Sequence, residues 1–271
     1  MSSSTAKPRS TATPRAPKGP QGRLHRTKAF EIPGVEGARP LTIYFPPGYD
    51  REPERRYPVA YMFDGQNLFA DEGAFSGGWH MHRALDARAA RGLTVPIVVG
   101  IHHGGAKRAE ELSPWPVEPG KEAWGDALLD WVVGPLAKMV REDLRVLEGA
   151  QHTLVGGSSL GGLLALYAYF RHNDVFGRAL CMSPSLWVDE GAIFQYVAKA
   201  RAGGDPRLYL DCGAKEAHGI VIKHAEWMAE LLERKGFVPG YHLMWRPDSR
   251  GAHNERAWRR RLPRALKFLY G

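Results

Sequence analysis

Cysteine is nearly absent from this chain of 271 residues, which has only Cys181 and Cys212. Two thiols cannot build the disulfide lattice that supports small secreted folds. Both lie in apolar, strand-like surroundings, where cysteine packs as a small hydrophobe. No stretch approaches the ~18 unbroken apolar residues of a membrane helix. The first residues also lack the apolar core of a secretory signal. These absences predict a cytoplasmic protein with no membrane partner. Acidic residues are missing from the first 28 positions, which hold Lys7, Arg9, Arg15, Lys18, Arg23, Arg26 and Lys28. That segment accounts for nearly all of the net charge of +8. The rest is close to neutral, so a nucleic-acid-binding fold is not indicated.

What is present is ordinary globular material, 44% hydrophobic and 24% charged, which excludes a collagen-like, coiled-coil or wholly disordered chain. Residues 1–27 are the exception. They are rich in Ser, Thr, Pro and basic residues and have too little apolar surface to offset the entropy of ordering them, so a disordered basic tail is expected there. From residue 28 to 271 short apolar runs alternate with helical spacings. Leu41–Phe45, Pro58–Phe63, Val95–Ile101, His152–Val155, Arg178–Met182, Arg207–Asp211 and Tyr241–Trp245 read as strands. Runs apolar on both faces belong to strands covered on both sides. Residues 124–147, Leu160–Phe170, Ile220–Lys235 and Glu255–Leu269 read as helices. The alternation predicts a single α/β domain, 28–271, with a mostly parallel central sheet flanked by helices.

The chemistry-bearing motif is Gly157-Ser158-Ser159-Leu160-Gly161, a G-x-S-x-G centred on Ser159. Between an apolar strand and an apolar helix it predicts a sharp turn with a strained serine at its tip. A free helix N-terminus there favours developing negative charge. A serine needs a histidine base, itself oriented by a carboxylate. Of the histidines downstream, His172, His218, His224 and His242 fall in or beside helices and strands. His253 sits in a polar loop between the last strand and last helix, and it is the expected base. Asp211 and Glu216 are both open as the acid; Glu216 is favoured because it lies past Gly213, on a loop.

The chain resembles the esterase family of the α/β-hydrolase superfamily, whose members include esterase D (S-formylglutathione hydrolase), enterochelin esterases, feruloyl and acetyl-xylan esterases and mycolyltransferases. The resemblance rests on Tyr61–Phe69, Val98–His102, Arg108–Trp115, Gly157–Gly162, Ser183–Trp187, Tyr209–Gly213 with Glu216, and His253–Glu255 with Trp258. It covers about residues 40–270. It implies Ser159 as nucleophile, His253 as base and Glu216 as acid, with backbone N–H groups of Leu160 and Gln66 as oxyanion hole. No cofactor is implied. The expected activity is a serine carboxylesterase working through an acyl-enzyme on a siderophore-like, sugar or small metabolic ester. Acyl transfer or thioester hydrolysis at the same site is the alternative within enzymes; a non-catalytic scaffold binding a partner is the alternative outside them.

The remaining candidates are weaker. Trp79, Trp115 and Trp187 are expected at the substrate pocket, since aromatic walls suit sugar and phenolic groups. His80, His82, His102 and His103 lack a third ligand at a standard spacing, so no metal is expected. Arg108 and Glu111 are expected to pair with each other, and the basic last helix to present a solvated face.

Overall fold

The computed structural model describes residues 19–271. Strand β1 (Arg23–Arg26) leads into a small hairpin, β2 (Phe30–Ile32) and β3 (Val35–Arg39), then β4 (Leu41–Phe45) and β5 (Val59–Phe63). Helix α1 (Met81–Ala89), β6 (Ile97–Ile101), the short α2 (Arg108–Glu111), α3 (Gly125–Trp131) and α4 (Ala137–Asp143) follow. The second half runs β7 (Thr153–Ser158), α5 (Leu160–Arg171), β8 (Arg178–Met182), α6 (Ala192–Lys199) and β9 (Arg207–Gly213). It ends with α7 (Ile220–Arg234), β10 (Leu243–Asp248) and α8 (Glu255–Tyr270).

Eight strands form one sheet in the order β1-β4-β6-β5-β7-β8-β9-β10. The run from β6 to β10 is parallel, and β4 and β1 are antiparallel at one edge. β5 and β6 are buried at every position, as expected of strands sandwiched between helix layers. The two-residue period divides their side chains between two cores. Tyr61, Phe63, Val99 and Val155 face a core completed by α3 to α7, while Ala60, Met62, Val98 and Leu154 face one completed by α1 and α8. Trp258, Leu262 and Leu266 give α8 its apolar stripe.

The helical spacing over 124–147 is realised as α3 and α4 joined by a π-helical stretch, Val132–Leu136. Pro135 lies in that stretch, and the wider turn accommodates a residue that has no N–H to donate.

The boundary expected after residue 27 is corrected. Arg23–Arg26 pair with Phe45–Thr42 as the sheet's edge strand. The Thr27 N–H donates to the Leu41 carbonyl, and Gly22 N–H to Asp86 Oδ1 at 2.9 Å. All four β1 residues are exposed, so no apolar alternation announces the strand; backbone pairing to β4 makes it. The earlier part of that segment, 1–18, lies outside the described residues.

Candidate active site

Parallel neighbours end on the same edge of a sheet, so the loops after β5, β7, β9 and β10 emerge together. β7 runs straight into α5 with Ser159 between them, at φ 57° and ψ −125°. A non-glycine residue held there stores on the order of 1–3 kcal/mol. The surroundings impose it. Ser159 N–H donates to the Met182 carbonyl, and its own carbonyl accepts from Leu163 and Ser185 N–H, each at 3.0 Å. A Cβ on Gly157 would come within 2.7 Å of the Gly161 backbone, and one on Gly161 within 3.2 Å of Asp64 and Phe63. The spacing of small residues around Ser159 is therefore a requirement of strand and helix meeting at close range.

The loop after β9 carries Glu216, which is 2% exposed. The loop after β10 is strapped onto it: Ala214 and Lys215 N–H donate to the carbonyls of Asp248 and Gly251. This strap brings His253 across. His253 Nδ1 lies 2.8 Å from Glu216 Oε2 and its Nε2 lies 2.9 Å from Ser159 Oγ. Since a carboxylate only accepts, the proton is on Nδ1 and Nε2 is left to accept from the serine hydroxyl. The arrangement can pass a proton from Ser159 to the imidazole and stabilise the resulting imidazolium.

Glu216 is held as the anion. Burial raises its pKa, but hydrogen bonds from His253 and Ser183, the His253 charge and the Gly213 N–H together keep it below the usual carboxylate range. Asp211, the other acid left open by the sequence, is elsewhere. It is fully buried within β9, where its side chain meets the Ser183 N–H at 3.3 Å and Arg261 Nε at 3.2 Å.

Sequence reasoning missed the brace behind Glu216. Ser183 Oγ donates to Glu216 Oε1 at 2.7 Å and accepts from Trp258 Nε1 at 3.0 Å and Arg261 Nη2 at 2.8 Å. Trp258 also sets its edge against the His253 ring, centroids 5.1 Å apart. Arg261 is buried, contrary to the solvated face expected for its helix, because two carboxylates lie beneath it; Arg256, Arg260, Arg264 and Lys267 are exposed. Ser183–Trp187 stood out only as a motif, and nothing local in it signals contact with α8. Ser185 Oγ lies 3.3 Å from Ser159 Oγ and was likewise missed.

Leu160 is the first residue of α5, where an N–H has no intrahelical acceptor, and Gln66 lies in the turn after β5, a 3₁₀ helix over Gly65–Asn67. Asp64 opens that turn in the left-handed region, φ 56°. Arg108 forks onto Asp64 at 2.7 and 2.8 Å. Glu111 is instead paired with buried Arg39. The expected Arg108–Glu111 pair is thus replaced by two pairs, both pinning loops at this edge.

A cleft of about 310 Å³ opens beside Ser159 and His253. Its aromatic walls are Phe75 and Trp258, and none of the three expected tryptophans lines it. Trp79 is 2% exposed and packs on Trp258, where burial of a large ring gains most. Trp115 packs against Tyr167 and Tyr196, and Trp187 stands exposed after β8. The four histidines weighed as metal ligands have other engagements: His80 with Asp71, His102 with Thr42, His103 with the Gly105 N–H, and His82 against Phe69. Among the described residues, no cluster of three His, Cys, Asp or Glu side chains is placed to hold a metal ion.

The family described as "Putative esterase" matches residues 33–269. The chain belongs to this esterase family. It is a carboxylic-ester hydrolase with a mixed α/β fold and a large central sheet flanked by helices. The esterase is similar to uncharacterized protein YbbA of Bacillus subtilis, 23% identical over 87% of this chain and 94% of that one. It is 28% identical to the siderophore triacetylfusarinine C esterase of Aspergillus fumigatus over 65% of this chain and 61% of that protein. In fold it matches the enterobactin esterase FES of Shigella flexneri, with a TM-score of 0.74 and 23% identity over 94% of this chain and 60% of that one. The chain thus spans about three fifths of the length of each of these two esterases. No helix among the described residues is long and apolar enough to cross a membrane.

Proposed function

We propose that this esterase is a serine carboxylesterase with Ser159 as nucleophile, His253 as general base and Glu216 as the orienting acid. The observation that carries the reading is the unbroken hydrogen-bonded line from Ser159 Oγ through His253 to Glu216, 2.9 and 2.8 Å long. Ser159 Oγ attacks the ester carbonyl as its proton moves to His253 Nε2. The oxyanion is taken up by the N–H groups of Leu160 and Gln66, each donor worth about 3 kcal/mol in such a site. The C–O bond breaks, and the leaving alcohol takes the proton from His253. Water then enters, gives a proton to the same nitrogen and attacks the acyl carbon, and Ser159 recovers its proton as the acid is released.

Hydrolysis is favoured over acyl transfer by solvent access. The His253 side chain is 39% exposed, so water reaches the nitrogen that must activate it. The substrate we favour is a siderophore-type ester, supported by the similarity to the Aspergillus siderophore esterase and to the Shigella enterobactin esterase. Sugar and small metabolic esters are the other members of the panel that tests it.

Ser159→Ala is expected to lower hydrolysis of p-nitrophenyl acyl esters by at least about a thousandfold and to leave the circular dichroism spectrum unaltered. Retained activity in that variant would discard the assignment. Ser159-dependent turnover of a catecholate or hydroxamate siderophore ester, against feruloylated and acetylated sugars, would name the substrate.

A further inference from the structure

The cleft beside Ser159 holds a carboxyl group for which the chemistry above has no use. Glu255, the first residue of α8, lines the cleft yet is only 3% exposed. Its Oε2 is buried without a hydrogen-bond partner. The donors nearby are committed elsewhere: the Arg108 guanidinium to Asp64, and the His253 ring to Glu216 and Ser159. A buried acceptor left unpaired costs free energy that a folded chain normally avoids by pairing it. The start of a helix eases that cost for an anion but leaves the oxygen without a donor. On the same cleft, Phe75 presents an apolar wall and is itself 92% exposed.

We propose that Glu255 accepts a hydrogen bond from a hydroxyl, amide or amine of the substrate, so that the enzyme selects esters carrying such a donor close to the scissile bond. This rests on the serine-esterase reading and adds a substrate class to it: hydroxylated or aminated esters, with an apolar portion against Phe75. Discrimination of this kind is large, because a substrate lacking the donor leaves the buried acceptor unpaired. Burial, reinforced by Asp64, also keeps the Glu255 carboxyl above the usual range against the pull of its own backbone N–H, Arg108 and His253. A carboxylate that binds protons tightly is a strong hydrogen-bond acceptor.

The test compares matched ester pairs: p-nitrophenyl 3-hydroxybutyrate with butyrate for the acyl side, and 2-hydroxyphenyl with phenyl acetate for the alcohol side. The wild type is expected to prefer the hydroxylated member of at least one pair by about tenfold or more in kcat/KM. Glu255→Ala is expected to bring that ratio close to one, and Glu255→Gln, which keeps the shape and one acceptor oxygen, to leave it in between. If Glu255→Ala does not fold, the ratio in Glu255→Gln decides. Equal ratios in wild type and variants, or no preference in the wild type, would overturn the proposal and leave Glu255 as a helix-terminal charge only. A fluorophosphonate probe separates the two levels. No labelling of wild-type Ser159 would overturn the serine chemistry and this proposal with it; labelling with an unchanged ratio would overturn the role of Glu255 alone.

Discussion

Asp211 and Glu216 are two carboxylates five residues apart, and their surroundings push them in opposite directions. Glu216 receives donors on both oxygens and stays ionised. Asp211 has one oxygen without a hydrogen bond, and burial pushes it up to about 7, with Glu216 adding to the rise and Arg261 and Tyr209 opposing it. An acid whose folded pKa exceeds its unfolded value must give up a proton within the protein as pH rises, so stability falls between about pH 4 and pH 7. In Asp211→Asn that slope is absent: its melting temperature relative to wild type should increase from pH 5 to pH 8, and ester hydrolysis should largely survive. Glu216→Gln should behave oppositely, with turnover falling at least about a hundredfold because the imidazole loses the partner that sets its tautomer. Parallel melting curves at both pH values would refute the assignment to Asp211. Cys181 and Cys212, both buried with thiol pKa values pushed upward by desolvation, take no part.

At the scale of elements, α8 decides more than any other helix. Its N-cap Asn254 accepts from Ala257 N–H at 3.0 Å and fixes the backbone next to His253. Trp258 and Arg261, three residues apart and so on one face, both donate to Ser183 behind Glu216. One helix therefore positions His253 and braces Glu216. Arg261→Met would leave Asp211 and Glu216 buried without their cation, and a loss of about 3–5 kcal/mol is expected from thermal or urea unfolding. Arg261→Lys keeps the charge and loses the fork that reaches Ser183 and the carboxylates together. It should fold, with kcat reduced about tenfold or more and KM little changed; an unaltered kcat would make Arg261 purely structural. The helix itself was legible from its apolar spacing. Its buried arginine was not, because a basic residue on an amphipathic helix is ordinarily solvated and only the carboxylates of β9 and its loop draw this one inward.

At the scale of the molecule, the sheet gathers the site by direction. β7, β9 and β10 are parallel, so Ser159, Glu216 and His253, separated by up to 94 residues, leave the same edge. The opposite flank is finished by β1, which covers β4 with four backbone-paired residues and sets Arg23 over Phe45 at 3.9 Å. A chain beginning at residue 28 should therefore melt at least about 2 °C below one beginning at residue 19, measured by calorimetry. Equal midpoints would mean that the edge strand contributes nothing.

For the carboxylate the amino-acid order left Asp211 and Glu216 both open; what it determined were the α/β alternation and the tight small-residue turn around Ser159. Those features rest on local rules: apolar periodicity, and small residues where strand and helix must touch. Only the tertiary structure decided β1, the Ser183–Trp258–Arg261 brace, the separate partners of Arg108 and Glu111, the burial of Trp79 and the unpaired oxygen of Glu255. Each of these depends on which side chain another element brings within about 3 Å, or on a backbone ladder formed across the sheet. No spacing along the chain encodes such a distance.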